Sequence, residues 1–296
     1  MRPKNKKDMI LLIVCLLINS LIGVIFKYFN KYEINNAQAI TTNYFVCLLT
    51  GSLVLGRFAL PPDIMEKDWF WVAVLLGLLF VVTFNLMAMT VQHFGVGVAT
   101  IFQKMSLIAP ALLAVFYYGE SAPTTKISGI VLAVMAIVLL SYKKSKSGTS
   151  SHQGWVVFLP MTIFLGSCVV DSCLFLVEKE KWAPNGDIEF VSALFFFGGV
   201  FGLINLFISY LKGKFTFQLK NVYGGIFLGI PNFFSIYLLL LLLAKGWDGS
   251  VVFPVNNVGV LVMAAIFGYF LFGERWTKMT VAGFFLACTS IVLIAL

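Results

Sequence analysis

Lys104 is the residue in this chain whose position most needs a chemical reason. It stands about eight residues inside an apolar stretch that begins at residue 96. A charged side chain at mid-bilayer costs roughly 2.5–3.5 kcal/mol on insertion scales, so such a residue is a functional candidate by default. A lysine there can anchor a carboxylate or a phosphate. The competing use is structural, as a snorkelling charge or one neutralised by a partner. At 100° per residue, Thr100, Gln103, Lys104, Leu107 and Ala111 share one helix face, which sets Gln103 beside the ammonium.

Asp171 is the second candidate, on a face with Ser167 and Leu174. It could pair with Lys104 or carry a coupling proton. On a ruler of 1.5 Å per residue Lys104 lies about 12 Å below the start of its helix and Asp171 about 25 Å below its own. That offset argues against direct pairing. Asn19 shares a face with Gly23 and Phe26, with Lys27 near its edge. Asn85, and Asn232 beside Pro231, complete the expected lining residues, although an interhelical hydrogen bond is the competing use of each.

Bond-making chemistry finds no support. His93 and His152 are expected to fall in loops, and no His–Glu set at helical spacing appears. Cys15, Cys47, Cys168, Cys173 and Cys288 lie in apolar runs without a CxxC pair. The expectation is no enzyme, no cofactor and no metal.

The elements that must position these residues are membrane helices. Hydrophobic residues make up 60% of the 296, charged residues 11%, and mean hydropathy is +0.95; soluble domains carry about 25% charged residues. The net charge of +8 sits in short loops, which points to topology and anionic lipid rather than nucleic acid. About 20 residues cross the hydrocarbon core. The expected spans are 9–29, 38–59, 69–90, 96–118 and 124–142, then 154–177, 189–211, 222–244, 250–272 and 277–296. The run from Met9 to Phe29 is too long for a signal-peptide core and reads as the first span. Trp69, Trp71, Trp155, Trp182, Trp247 and Trp276 all fall at span ends, where indole prefers the headgroup level.

The chain also repeats itself. Gly95–Tyr142 aligns without a gap on Gly249–Leu296 at a constant offset of 154 (249 − 95), with identities that include Gly119/Gly273, Glu120/Glu274 and Gly129/Gly283. Five spans per copy is an odd number, so the copies would point in opposite directions. The expected fold is an all-α integral membrane protein of ten transmembrane helices, built as two inverted five-helix repeats. Residues 1–142 form the first repeat, 143–153 a polar linker and 154–296 the second. The offset places Asn257 at the position of Gln103, as a further lining residue, and Asn256 at that of Phe102, on the packing side. Gly198-x-x-x-Gly202 and Gly225-x-x-x-Gly229 mark close helix approach. Pro110, Pro160, Pro231 and Pro254 are expected to kink their helices and release carbonyls.

Pro110 nine residues before Gly119-Glu120, with Gly273-Glu274 closing the ninth span, resembles the EamA family of the drug/metabolite transporter superfamily. The resemblance covers essentially the whole chain. It departs at Ala264, which stands where Pro110 would repeat. It also lacks the acidic residue that small multidrug-resistance relatives carry in their first helix. The resemblance implies a secondary transporter, expected to be an exporter, of small metabolites without naming one, and Lys104 points to an anionic or zwitterionic substrate. It also implies a coupling ion or proton and a cavity lined by the first, third and fourth helices of each half. An intramembrane enzyme or a non-transporting receptor or scaffold are the alternatives. The expected location is a bacterial-type inner membrane with both termini cytoplasmic. Arg2, Lys4, Lys6 and Lys7 favour that orientation, although the 21 Lys and Arg, leaving out Lys104, divide ten to each side.

Overall fold

A computed structural model describes residues 6–119, 123–141, 154–183, 187–245 and 249–295. The 143–153 linker, Glu120 and Trp247 lie outside the described residues. Among those described, the chain forms ten helices and no strand. They are α1 (Lys6–Lys31), α2 (Asn36–Leu55), α3 (Phe70–Phe94), α4 (Val96–Phe116), α5 (Thr124–Ser141), α6 (Leu159–Lys179), α7 (Ile188–Leu211), α8 (Leu219–Ala244), α9 (Gly249–Phe272) and α10 (Lys278–Ala295). Eight of them are long and apolar enough to cross a membrane, while α5 and α10 carry shorter apolar runs. A helix satisfies its backbone groups within its own segment, which is what hydrocarbon requires.

Local sequence sets several of the ends. Asn35 caps α2 by accepting from Gln38 N–H, and Gly56, at φ 67°, stops it at Leu55 rather than at 59. Asp187 caps α7 by accepting from Glu189 N–H. Pro160 does not kink α6. It stands in the first turn, after a 3₁₀ turn at Gly154–Phe158, where its missing N–H costs no helical bond. Pro231 does lie inside α8.

Glycines bring the helices close. A Cβ on Gly225 would lie 2.6 Å from the Ala39 carbonyl, and one on Gly229 2.7 Å from Val46 Cβ. Gly198, Gly199 and Gly202 similarly meet Tyr44, Phe45 and Thr41. Thus α2 is held between α7 and α8 by the two small-residue motifs. Gly77 of α3 packs on Phe197 of α7, Gly259 of α9 on Leu16 of α1, and Gly129 of α5 on Ile294 of α10. Each of these contacts joins a helix before residue 142 to one after 154, so the halves interlock. Tyr44, Phe26, Phe29, Phe195 and Phe233 fill the core between them.

The helix ends sort onto two faces. On one, Asn35, Gln38 and Asn221 tie α2 to α8, and Asn36 and Gln92 exchange amide hydrogen bonds between α2 and α3. On the other, Arg57 pairs with Glu189, Tyr118 with Glu180, and Asp8 with Lys245. Trp69 and Trp276 stand at helix ends but turn inward, onto Phe190 and over Gly97; Trp71 is exposed.

Candidate functional site

The site begins with Pro110. A proline cannot donate to the carbonyl four residues earlier, and its ring crowds that carbonyl. In α4 the helix tightens to a 3₁₀ turn at Met105–Leu107 and resumes at Ile108. Ser106, four residues before Pro110, sits in that turn at 2% exposure. Its Oγ lies within hydrogen-bonding reach of two oxygens, the Gln103 carbonyl and Asp171 Oδ2 on α6.

Lys104 ends the first segment of α4. Among the described residues its ammonium makes no hydrogen bond and no ion pair within 4.0 Å. It interacts electrostatically with Asp171 and with Cys15 of α1. Lys104 and Asp171 are both half-buried. Gln103, next to Lys104, is likewise half-buried.

The sequence ruler misjudged the depth of Asp171. Its hydrogen bond with Ser106 brings it level with a point only two residues, about 3 Å, beyond Lys104. The ruler assumed that both helices start at one height, whereas a 3₁₀ turn carries α6 out past the start of α4.

Neighbouring helices complete the group. The buried Cys15 thiol points to the Ser235 carbonyl of α8 at 3.7 Å and to Asn256 Oδ1 of α9 at 3.8 Å. Half-buried Asn19 interacts with Cys15 from one turn along α1. On α9 Asn257 is half-buried, while Asn256, like its counterpart Phe102, is buried. Asn85, half-buried on α3, donates to its own helix at Val81 O, 2.8 Å away.

Asn232 is not brought to this group. At 3% exposure it donates to Asn43 Oδ1 at 3.1 Å and to Cys47 Sγ at 3.5 Å, inside the α2–α8 contact. Its neighbour Pro231 marked it as cavity-lining, but the proximity of Gly229 to α2 leaves no space there. Sequence reasoning missed Ser106 and Cys15. Ser106 was readable as the residue whose carbonyl Pro110 releases; Cys15, one turn before Asn19, carried no signal beyond its spacing.

Lys104 is thus, among the described residues, a cation without a hydrogen-bonding partner, and the Asp171 carboxyl of the neighbouring helix interacts with it electrostatically. Among the described residues no set of three His, Cys, Asp or Glu could hold a metal.

Comparison with known proteins agrees with the helical architecture. Residues 6–142 match the family model described as the EamA-like transporter family. An uncharacterized protein of Haemophilus influenzae is 26% identical over 291 residues, covering 95% of each chain. One solved crystal structure, 12% identical, aligns with a TM-score of 0.60 over 98% of this chain and 96% of the other, a likeness of fold alone.

Proposed function

We propose, from the match of residues 6–142 to the EamA-like transporter family model, that this chain is a secondary transporter for a small anionic or zwitterionic metabolite. The observation that carries the substrate class is Lys104, a half-buried cation with no hydrogen-bonding partner among the described residues. Such a charge is stable in a membrane where water or a ligand meets it. Gln103, Asn257, Asn19 and Asn85 supply the polar lining, and Asp171 shares the cavity.

Alternating access would come from two five-helix repeats, 1–142 and 154–296, joined by the 143–153 linker. The 154-residue repeat supports this. So does the antiparallel run of the equivalent helices α4 and α9: the N–H of Val96, at the start of α4, bonds Glu274, beyond the end of α9. Both termini are assigned to the cytoplasm of a plasma-type membrane.

Purified protein screened by thermal shift against amino acids, nucleobases, sugar phosphates and cationic drugs tests the reading, because a binder raises the melting point by mass action. Uptake of the best binder into proteoliposomes then separates a carrier from a receptor or an enzyme. Lys104→Gln should weaken an anionic binder by roughly 1.5–3 kcal/mol, tenfold to somewhat over a hundredfold. Folding should survive, since insertion gains from losing the charge. Tightest binding by the cationic drugs, with Lys104→Gln neutral, would discard the anion reading.

A further inference from the structure

Ser106 has one hydroxyl proton and stands between two acceptors, the Gln103 carbonyl and Asp171 Oδ2. With Asp171 ionised the three oxygens share that single proton, and one of the two contacts brings lone pairs face to face. With a proton on Asp171 the chain closes: the carboxyl O–H donates to Ser106 Oγ, and the serine O–H donates to Gln103 O. Ser106 is fixed in this place by the break at Pro110 and is buried there at 2% exposure.

We propose that Asp171 is a proton-binding site of this protein, linked through the shared cavity to the anion site at Lys104. This rests on the transporter reading only for its consequence, not for its chemistry. The proton comes from water in the cavity, forms an O–H bond on Asp171, and leaves to water when the carboxylate is restored; no other bond changes. The groups facing Asp171 are Lys104 and Ser106 from α4 and Cys168 on its own helix. From α3, the other long helix against α6, Thr83 packs at Gly166, and no described charged group of α3 interacts with Asp171.

The consequence is a direction of coupling. Ionised Asp171 competes with a substrate anion for the field of Lys104; protonated Asp171 leaves that field to the substrate. Proton and anion then favour each other's binding, and by linkage each does so equally. They cross together, so an inward proton gradient drives uptake, opposite to the export suggested by family resemblance.

Infrared titration of the full chain in lipid, with no substrate present, tests the proton site. Across the titration the wild type should show the C=O stretch of a protonated carboxylic acid that fades as pH rises, and Asp171→Asn should lack it. In Lys104→Gln the band should persist to higher pH, because a nearby positive charge favours the carboxylate. Superposable wild-type and Asp171→Asn spectra across the titration would overturn the proposal. If Asp171→Asn does not assemble, the wild type against Lys104→Gln carries the test, and a midpoint that stays fixed overturns it. Neither result depends on whether Lys104 binds a metabolite, so failure here leaves the transporter reading standing.

Discussion

The carboxylate of Glu274 accepts a hydrogen bond from the backbone N–H of Val96 at 2.8 Å, so the turn after α9 caps the first turn of α4. Its second oxygen faces Gly97 N at 3.4 Å. A negative charge there satisfies free N–H groups and suits the helix dipole. Gly95, at φ 90°, has room for no side chain: a Cβ would lie 2.6 Å from Glu274 Cδ. The Gly273-Glu274 pair thus has a physical role. Gly273, at φ 62°, makes the turn, and Glu274 reaches across to α4.

Glu274→Ala should therefore lower stability by about 0.5–2 kcal/mol, the usual worth of a helix cap. Glu274→Gln, which keeps an acceptor and loses the charge, should cost less. Chemical denaturation in detergent measures both. Equal stability of all three proteins would show that the cap contributes nothing.

Asn232 should behave as a structural residue. Removing its bond to Asn43 with Asn232→Ala is expected to cost about 0.6 kcal/mol, and at most about 1.7, the range found for hydrogen bonds between membrane helices. Affinity for any binder found in the thermal-shift screen should not change. A loss of affinity at unchanged stability would return Asn232 to the site.

Thiol labelling maps the accessible side of α4. With the five native cysteines replaced, Gln103→Cys should react with a small water-borne reagent and Phe102→Cys should not, since Phe102 is 1% exposed and packed in the core. Asn257→Cys should follow Gln103→Cys, and Asn256→Cys should follow Phe102→Cys. Uniform reactivity at the four positions would undo the assignment of faces.

Tyr118 and Glu180 tie the ends of α4 and α6 on the Arg57 face. The hydrogen bond to Glu180, with some help from burial and the carboxylate charge, pushes the Tyr118 phenol up to about 12. The folded protein therefore holds this proton when the unfolded chain, near the ordinary value of 10.0, has lost it. The stability due to this contact is present below pH 10 and disappears as pH rises from there to about 12. An ultraviolet titration of wild type minus Tyr118→Phe should show one late-ionising phenol, and Glu180→Gln should move it earlier. A difference curve centred at 10 would contradict the contact.

The sequence disclosed those features whose cost in hydrocarbon is high. Lys104 and Asp171 stand out because charges are expensive there, and the glycine motifs because close approach excludes side chains. What it could not disclose was relative height. The distance from Asp171 to α4 depends on where two helices start, and a short 3₁₀ turn at 154–158 was enough to defeat a ruler based on span ends. Likewise the spacing of Asn232 resembles that of a lining residue, and only the approach of Gly229 to α2 places it in a helix contact.

The interlocking of the halves also has a cost in time. Helix α2 is complete at Leu55, but α7, which packs against it through Gly198, Gly199 and Gly202, is not complete until Leu211, 156 residues later (211 − 55). At about 5–20 residues per second, a ribosome needs roughly 8–30 s to supply that partner. Through that interval Asn43, Tyr44 and Thr41 lie in the bilayer without the helices that bury them. The early helices must wait there, with lipid or an insertion chaperone against a face that the finished protein never shows.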